Sequence, residues 1–214
     1  MAQRLVGQVC GLMPEDIKTT ESITEADIRR RIIVIVNQRT GTQRPFTFSD
    51  LEARVADIVI PDAAPEEVRD LLTTSKNLLL YSWFYFPFSM TASLQAAVAL
   101  ERALKIRLNG KRRDTLTYLL KRAIRERVLT DEGFPRWRSH QEAFRLLHAP
   151  ESIPRRRSLV CLLLKTFPHF RNTLAHGDRF VDDIGFLHLD IVNEAVTQLF
   201  SQKEKDIQTA SSPI

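Results

Sequence analysis

The chain has 214 residues, which allows one larger domain or a domain with an appendage, and its formal net charge is +5. Its two cysteines, Cys10 and Cys161, exclude a disulfide framework, and neither has the CxxC spacing or the ligand neighbours of a zinc site. This cysteine usage fits a reducing compartment, and the polar N-terminus does not resemble a signal peptide, so we expect a cytoplasmic protein.

The positive charge is concentrated in one part of the chain. Residues 102–157 contain 16 Lys or Arg against six Asp or Glu, so the rest of the chain is net acidic. A concentrated basic block predicts binding to a polyanion. The alternative is that these side chains only cover the solvated faces of helices.

The first 62 residues are predicted to form an N-terminal helical appendage. Residues 1–22 show weak periodicity and are expected to be irregular. A helix is predicted over residues 24–38, although the run IIVIV inside it fits a buried strand equally well. A loop over residues 39–47 and a helix capped by Ser49 follow, and Pro61 and Pro65 mark a boundary.

Residues 63–202 are predicted to form an antiparallel bundle of helices, so the expected fold class is all-α. Pro65 suits the first turn of a long helix, and Pro87 interrupts it before the helical pattern resumes over residues 89–108. Residues 77–100 are uncharged and long enough to span a bilayer. Pro87 and several polar side chains within them favour a buried bundle helix instead, so no membrane association is expected.

Four further helices are predicted in the rest of the bundle. The first begins after Asp114 and covers residues 115–129, and a short second one begins at Ser139, with Glu142 completing a capping box. The third covers residues 155–167. A loop over residues 178–186 leads to a final amphipathic helix over residues 189–200, and residues 203–214 are predicted to be a flexible tail.

The most informative stretch is FPHFRNTLAHG at residues 167–177. Arg171 is followed by the polar Asn172 and, five positions on, by His176, which directly precedes Gly177. On a continuous helix, positions i and i+5 lie well apart around the axis, so Arg171 and His176 reach one ligand only if the helix ends between them. Gly177 favours such an end, because glycine commonly closes a helix with a positive φ.

This motif, preceded by an apolar helix and followed by an amphipathic one, resembles that of the HEPN family (higher eukaryotes and prokaryotes nucleotide-binding). The family motif is an arginine, a polar residue, further residues and then a histidine, and the resemblance extends from about Leu71 to Phe200. It implies a homodimer in which paired motifs form one composite site. Many members are metal-independent endoribonucleases in toxin–antitoxin or phage-defence systems, so an antitoxin would be a partner.

The side chains of the motif suit RNA cleavage. The 2′-hydroxyl of RNA lies beside the phosphorus and can act as the nucleophile, a histidine can move the proton, and an arginine can pair with the phosphate. We therefore predict a catalytic set and a set that binds RNA, without a metal or other cofactor. The catalytic set is Arg171, His176 and Asn172, and the RNA-binding set is Arg155, Arg156, Arg157 and His169.

Two alternatives remain open. The bundle could bind RNA or a nucleotide without cutting it, or it could be a protein-interaction module, such as the partner of a nucleotidyltransferase, in which the motif serves packing. Glu101, on an earlier helix, could pair with Arg171, but we expect a solvated helix charge.

Overall fold

The computed structural model describes residues 3–6, 17–37, 39–136, 158–176 and 185–210. These residues are mostly helical, which confirms the all-α bundle class. The helices are α1 (Ile28–Arg31), α2 (Phe48–Ala56), α3 (Glu66–Tyr81), α4 (Phe88–Arg107), α5 (Leu116–Arg125), α6 (Leu159–Ala175) and α7 (Gly185–Ala210). The strands are β1 (Gln3–Val6), β2 (Val34–Asn37) and β3 (Gln43–Pro45), and a short 3₁₀ turn covers Asp131–Gly133.

A three-stranded antiparallel sheet in the N-terminal region corrects three predictions. The helix predicted over residues 24–38 ends at Arg31, and β2 follows as the central strand between β1 and β3. Ile33 and Ile35 are buried and alternate with more exposed residues, which is the period of two that a strand requires. The strand alternative for IIVIV was therefore correct, and the segments predicted as irregular or as a loop contain β1 and β3.

The N-terminal cap of α2 lies two residues before the predicted Ser49. Thr47 Oγ1 accepts a hydrogen bond from the Asp50 N–H (3.3 Å), and Asp50 Oδ2 accepts one from the Thr47 N–H (2.9 Å). This reciprocal pair is a capping box. The guanidinium of Arg44 holds the pKa of Asp50 well below its usual range, so the box stays charged.

The core of the bundle is built around α4, which packs most extensively against α3 and α7. Its buried alanines let neighbouring helices approach closely: Ala92, Ala96, Ala97, Ala99 and Ala103. Pro87 lies at the N-cap of α4, which confirms that it interrupts the long helical pattern. Within the described residues, no helix is both long and apolar enough to cross a membrane.

The N-terminal region shares one buried hydrophobic cluster with the bundle. Asp27, buried at the N-cap of α1, accepts a hydrogen bond from the Phe86 N–H (2.9 Å), and the buried Arg30 donates to Ser82 Oγ (2.7 Å).

Three long-range donors bond to the carbonyls just past α2: Lys76 Nζ to Ile58 (2.6 Å), Asn193 Nδ2 to Val59 (2.8 Å) and Arg136 Nη2 to Asp57 (2.6 Å). These bonds satisfy carbonyls of the connecting segment that have no partner in a helix or strand.

The starts of two further predicted helices, α5 and α7, also shift. The N-cap of α5 is Thr115 rather than Asp114, because Thr115 Oγ1 accepts the Tyr118 N–H while Asp114 accepts the Lys111 N–H. Helix α7 begins at Gly185, four residues before the predicted start. The helix predicted from Ser139 lies outside the described residues, as does most of the loop predicted before α7.

Candidate functional site

Helix α6 carries the motif. It begins after Ser158, whose Oγ accepts the Cys161 N–H (3.2 Å), and Asp131 Oδ1 accepts the Val160 N–H (2.9 Å). Its buried face consists of Leu159, Val160, Leu163 and Phe167, and the helix continues through Pro168 to Ala175. Arg155, Arg156 and Arg157 lie outside the described residues, so the predicted RNA-binding arginines have no described position.

The expectation that the helix ends between Arg171 and His176 was wrong, because α6 continues to Ala175. His176 is the C-cap, with φ −87° and ψ 0°, and its N–H donates to the Asn172 carbonyl (2.9 Å). Arg171 and His176 are therefore five helical positions apart, which places them about 140° apart around the axis. No hydrogen bond in the described part of the chain joins these two side chains. Gly177, the predicted helix breaker, lies outside the described residues.

Arg171 is half-buried and has contacts within its own chain. Its Nη2 lies 3.3 Å from Glu101 Oε2 of α4, and its Nη1 donates to Asn172 Oδ1 (3.2 Å). Its Nε is buried and has no hydrogen-bond partner among the described residues. The expectation of a solvated Glu101 was wrong, because only 17% of that side chain is exposed and it pairs with both Arg171 and Lys105.

The other predicted side chains of the motif face solvent. Asn172, His169 and His176 are all exposed, although the amide of Asn172 also holds the Arg171 guanidinium. An exposed imidazole at a helix end can meet a ligand or a second molecule without rearrangement of the core. This arrangement supplies a proton-transfer group at the surface and a partly recessed cation on another side of the same helix.

His188 of α7 lies behind the motif, and the sequence interpretation missed it. Its ring packs edge-on against Phe167 (5.2 Å between centroids) and Phe170 (4.2 Å) of α6. Burial lowers the pKa of His188 to about 4, and its buried Nδ1 has no partner in the described part of the chain. The available signal was its position one turn before Val192, on the apolar face of the last helix.

The described part of the basic block is mostly at the surface. Lys111, Arg112 and Arg113 are exposed in the turn between α4 and α5, and Lys121 and Arg125 are exposed on α5. Some members of the block have internal roles, since Arg122 donates to the Leu108 carbonyl (2.7 Å) at the end of α4. Within the described residues, no group of three or more His, Cys, Asp or Glu side chains could hold a metal ion.

No family model, curated protein or solved structure matches this chain. The resemblance to the HEPN family therefore depends on the RNTLAHG motif at residues 171–177 and its helical surroundings.

Proposed function

We propose that this protein is a metal-independent endoribonuclease of the HEPN type whose active site is shared by two copies of the chain. The observation that carries the proposal is the end of α6, where the exposed imidazole of His176 lies about 1.4 turns beyond the partly recessed guanidinium of Arg171. These are the two side-chain types that proton transfer and phosphate stabilisation require.

The continuous helix supports a site made by two chains rather than one. Because about 140° separates Arg171 from His176, one helix does not direct both groups at the same phosphate. A two-fold axis beside the end of α6 would bring His176 of one copy towards Arg171 of the other. Two-fold dimers are the commonest symmetric assembly of soluble proteins.

The proposed reaction is an attack by the RNA on itself. The 2′-oxygen forms a bond to phosphorus while the bond from phosphorus to the 5′-oxygen breaks, which leaves a 2′,3′-cyclic phosphate and a 5′-hydroxyl. One neutral His176 accepts the proton of the 2′-hydroxyl, and the protonated His176 of the second copy donates a proton to the departing oxygen. Arg171 stabilises the negative charge on the phosphoryl oxygens, and Asn172 holds its guanidinium.

The test is incubation of the purified protein with RNA in the presence of EDTA. We expect cleavage with cyclic-phosphate ends, reduced about 100-fold or more in His176→Ala, since general acid–base catalysis contributes about that much. Thr166→Ala is the control, because Thr166 is exposed on the same helix and lies outside the predicted catalytic and RNA-binding sets. Salt-sensitive RNA binding without cleavage would contradict the nuclease and favour a binding module.

Mixing two inactive variants tests the shared site directly. Arg171→Ala dimers keep two histidines and His176→Ala dimers keep two arginines, so each variant alone should be inactive. A mixed dimer keeps one pair in which His176 of one chain faces Arg171 of the other, so it should recover part of the activity, limited by the loss of the second histidine. If the site lay within one chain, no mixture would recover activity.

One observation favours a second candidate, a module that binds RNA or protein without catalysis. Arg171 already has an ionic partner in Glu101, so the arginine could serve the packing of α6 on α4. In that case Arg171→Ala would lower the free energy of unfolding and leave RNA affinity unchanged. For the proposed nuclease, cleavage is lost in Arg171→Ala while the folded protein remains.

A further inference from the structure

A cluster of mixed charge surrounds Arg171 where α6 meets α4. Glu101 Oε1 accepts a hydrogen bond from Lys105 Nζ at 2.7 Å, and Glu101 Oε2 lies 3.3 Å from Arg171 Nη2. The side chains of Glu101 and Lys105 are only 17% and 20% exposed, whereas 35% of the Arg171 side chain is exposed. This Glu101–Lys105–Arg171 cluster has two cations and one anion, and its net charge is +1.

The charge of Lys105 determines how strongly Arg171 can attract an anion. A Glu101–Arg171 pair alone would be neutral and would attract a phosphate weakly. Lys105 makes the shorter contact with Glu101 and compensates its charge, so the charge of Arg171 remains available. Glu101 still limits where the guanidinium can lie, because it approaches Nη2 while Asn172 holds Nη1.

We propose that Glu101 and Lys105 are positioning residues for Arg171 at a phosphodiester-binding site. Glu101 holds the guanidinium in place, and Lys105 keeps the cluster positive. This inference rests on the proposed function, since it takes the phosphodiester of RNA as the ligand of Arg171. It adds that the affinity and the rate depend on two α4 residues that need not touch the substrate.

The first measurement is the binding of a fluorescent 2′-O-methyl RNA, which has no free 2′-hydroxyl and cannot be cleaved by the proposed route. Lys105→Met should raise its Kd about 2- to 6-fold at low salt, and Glu101→Gln should lower it by a similar factor, from the Coulomb energy of one charge about 8 Å away. Lys105→Arg keeps the charge and should keep the wild-type Kd.

The matched control is Glu67→Gln. Glu67 pairs with Arg102, the residue after Glu101 on α4, but both side chains are about half exposed, at 49% and 47%. The substitution changes the net charge of the protein by the same amount as Glu101→Gln. An exposed pair is screened by solvent, so the Kd of Glu67→Gln should differ from the wild-type value by less than about 1.5-fold.

The second measurement is the kinetics of cleavage of ordinary RNA. Glu101→Gln should lower both KM and kcat, because the substrate is attracted more strongly while the guanidinium loses its restraint. Lys105→Met should mainly raise KM. A purely structural role for the cluster would instead lower the melting temperature and leave both kcat and KM unchanged for the folded fraction.

The outcomes separate this inference from the proposed nuclease. If the wild type never cuts RNA but the Kd values shift as stated, the positioning role of Glu101 and Lys105 is supported and the proposed nuclease is contradicted. If the wild type cuts RNA but Glu101→Gln and Lys105→Met behave like Glu67→Gln, the cluster is overturned and the nuclease stands. A wild-type protein that neither binds the analogue nor cuts RNA would overturn both.

Discussion

The imidazole of His188 should make the folding stability sensitive to mild acid. The ring projects from α7 and packs against Phe167 and Phe170 of α6. Burial lowers its pKa from 6.5 to about 4. Its buried Nδ1 has no hydrogen-bond partner in the described part of the chain. The neutral ring therefore suits this site, and protonation opposes folding.

The sign and the size of the effect follow from proton linkage. Between pH 6.5 and about 4, the unfolded chain binds a proton at His188 that the folded chain does not bind. The contribution of this group is complete above pH 6.5 and is lost as the pH falls through that interval. The full loss is about 3 kcal/mol, and about 2 kcal/mol of it is lost by pH 5.

Two carboxylates with shifted pKa values also change the stability with pH. One opposes the effect of His188, and the other acts only at lower pH. Desolvation raises the pKa of Glu194, so protonation of Glu194 favours the folded state as the pH falls. The pKa of Asp50 is held well below its usual range by Arg44, so Asp50 loses its contribution only in stronger acid. A difference between the wild type and a His188 variant cancels both contributions, because both proteins contain them.

The assay is urea unfolding of the wild type and His188→Phe at pH 7.5 and pH 5.0. Phenylalanine keeps the aromatic packing and has no titrating group, so this variant should lose about 2 kcal/mol less than the wild type between the two pH values. Thr166→Ala, at an exposed position on α6 and without a titrating side chain, should keep the wild-type pH dependence. Equal losses for the wild type and His188→Phe would refute the reasoning.

Three further substitutions test the packing of the described fold. Thr47→Ala removes the capping box of α2 and should cost about 1 kcal/mol in urea unfolding, whereas Ser49→Ala should cost almost nothing. Gly185→Ala should cost about 1–3 kcal/mol, seen as a lower melting temperature, because the added Cβ would lie 2.9 Å from a backbone oxygen of α4. Lys76→Met leaves the buried carbonyl of Ile58 without its donor and should cost about 1–3 kcal/mol by the same measurement.

Local periodicity was sufficient to predict the long helices but not the sheet. Apolar residues recur every three to four positions through the bundle, and the structure has helices at those places. The run around Ile33 and Ile35 is apolar whether it forms a helix or a strand. It forms a strand because it pairs with β1, which lies about 30 residues earlier in the chain. Cap positions shifted by one or two residues, because neighbouring Ser, Thr and Asp side chains compete for the same N–H groups.

The sequence by itself determined the helical class, the break at Pro87 and the motif that places Arg171, Asn172 and His176 near the end of one helix. Only the tertiary structure decided that Glu101, 70 positions before Arg171, turns inward to pair with it, and that His188 packs behind the motif. The physical reason is the range of each force. Helix formation depends on neighbours within one or two turns, whereas burial and ion pairing depend on segments that meet only after the chain has folded.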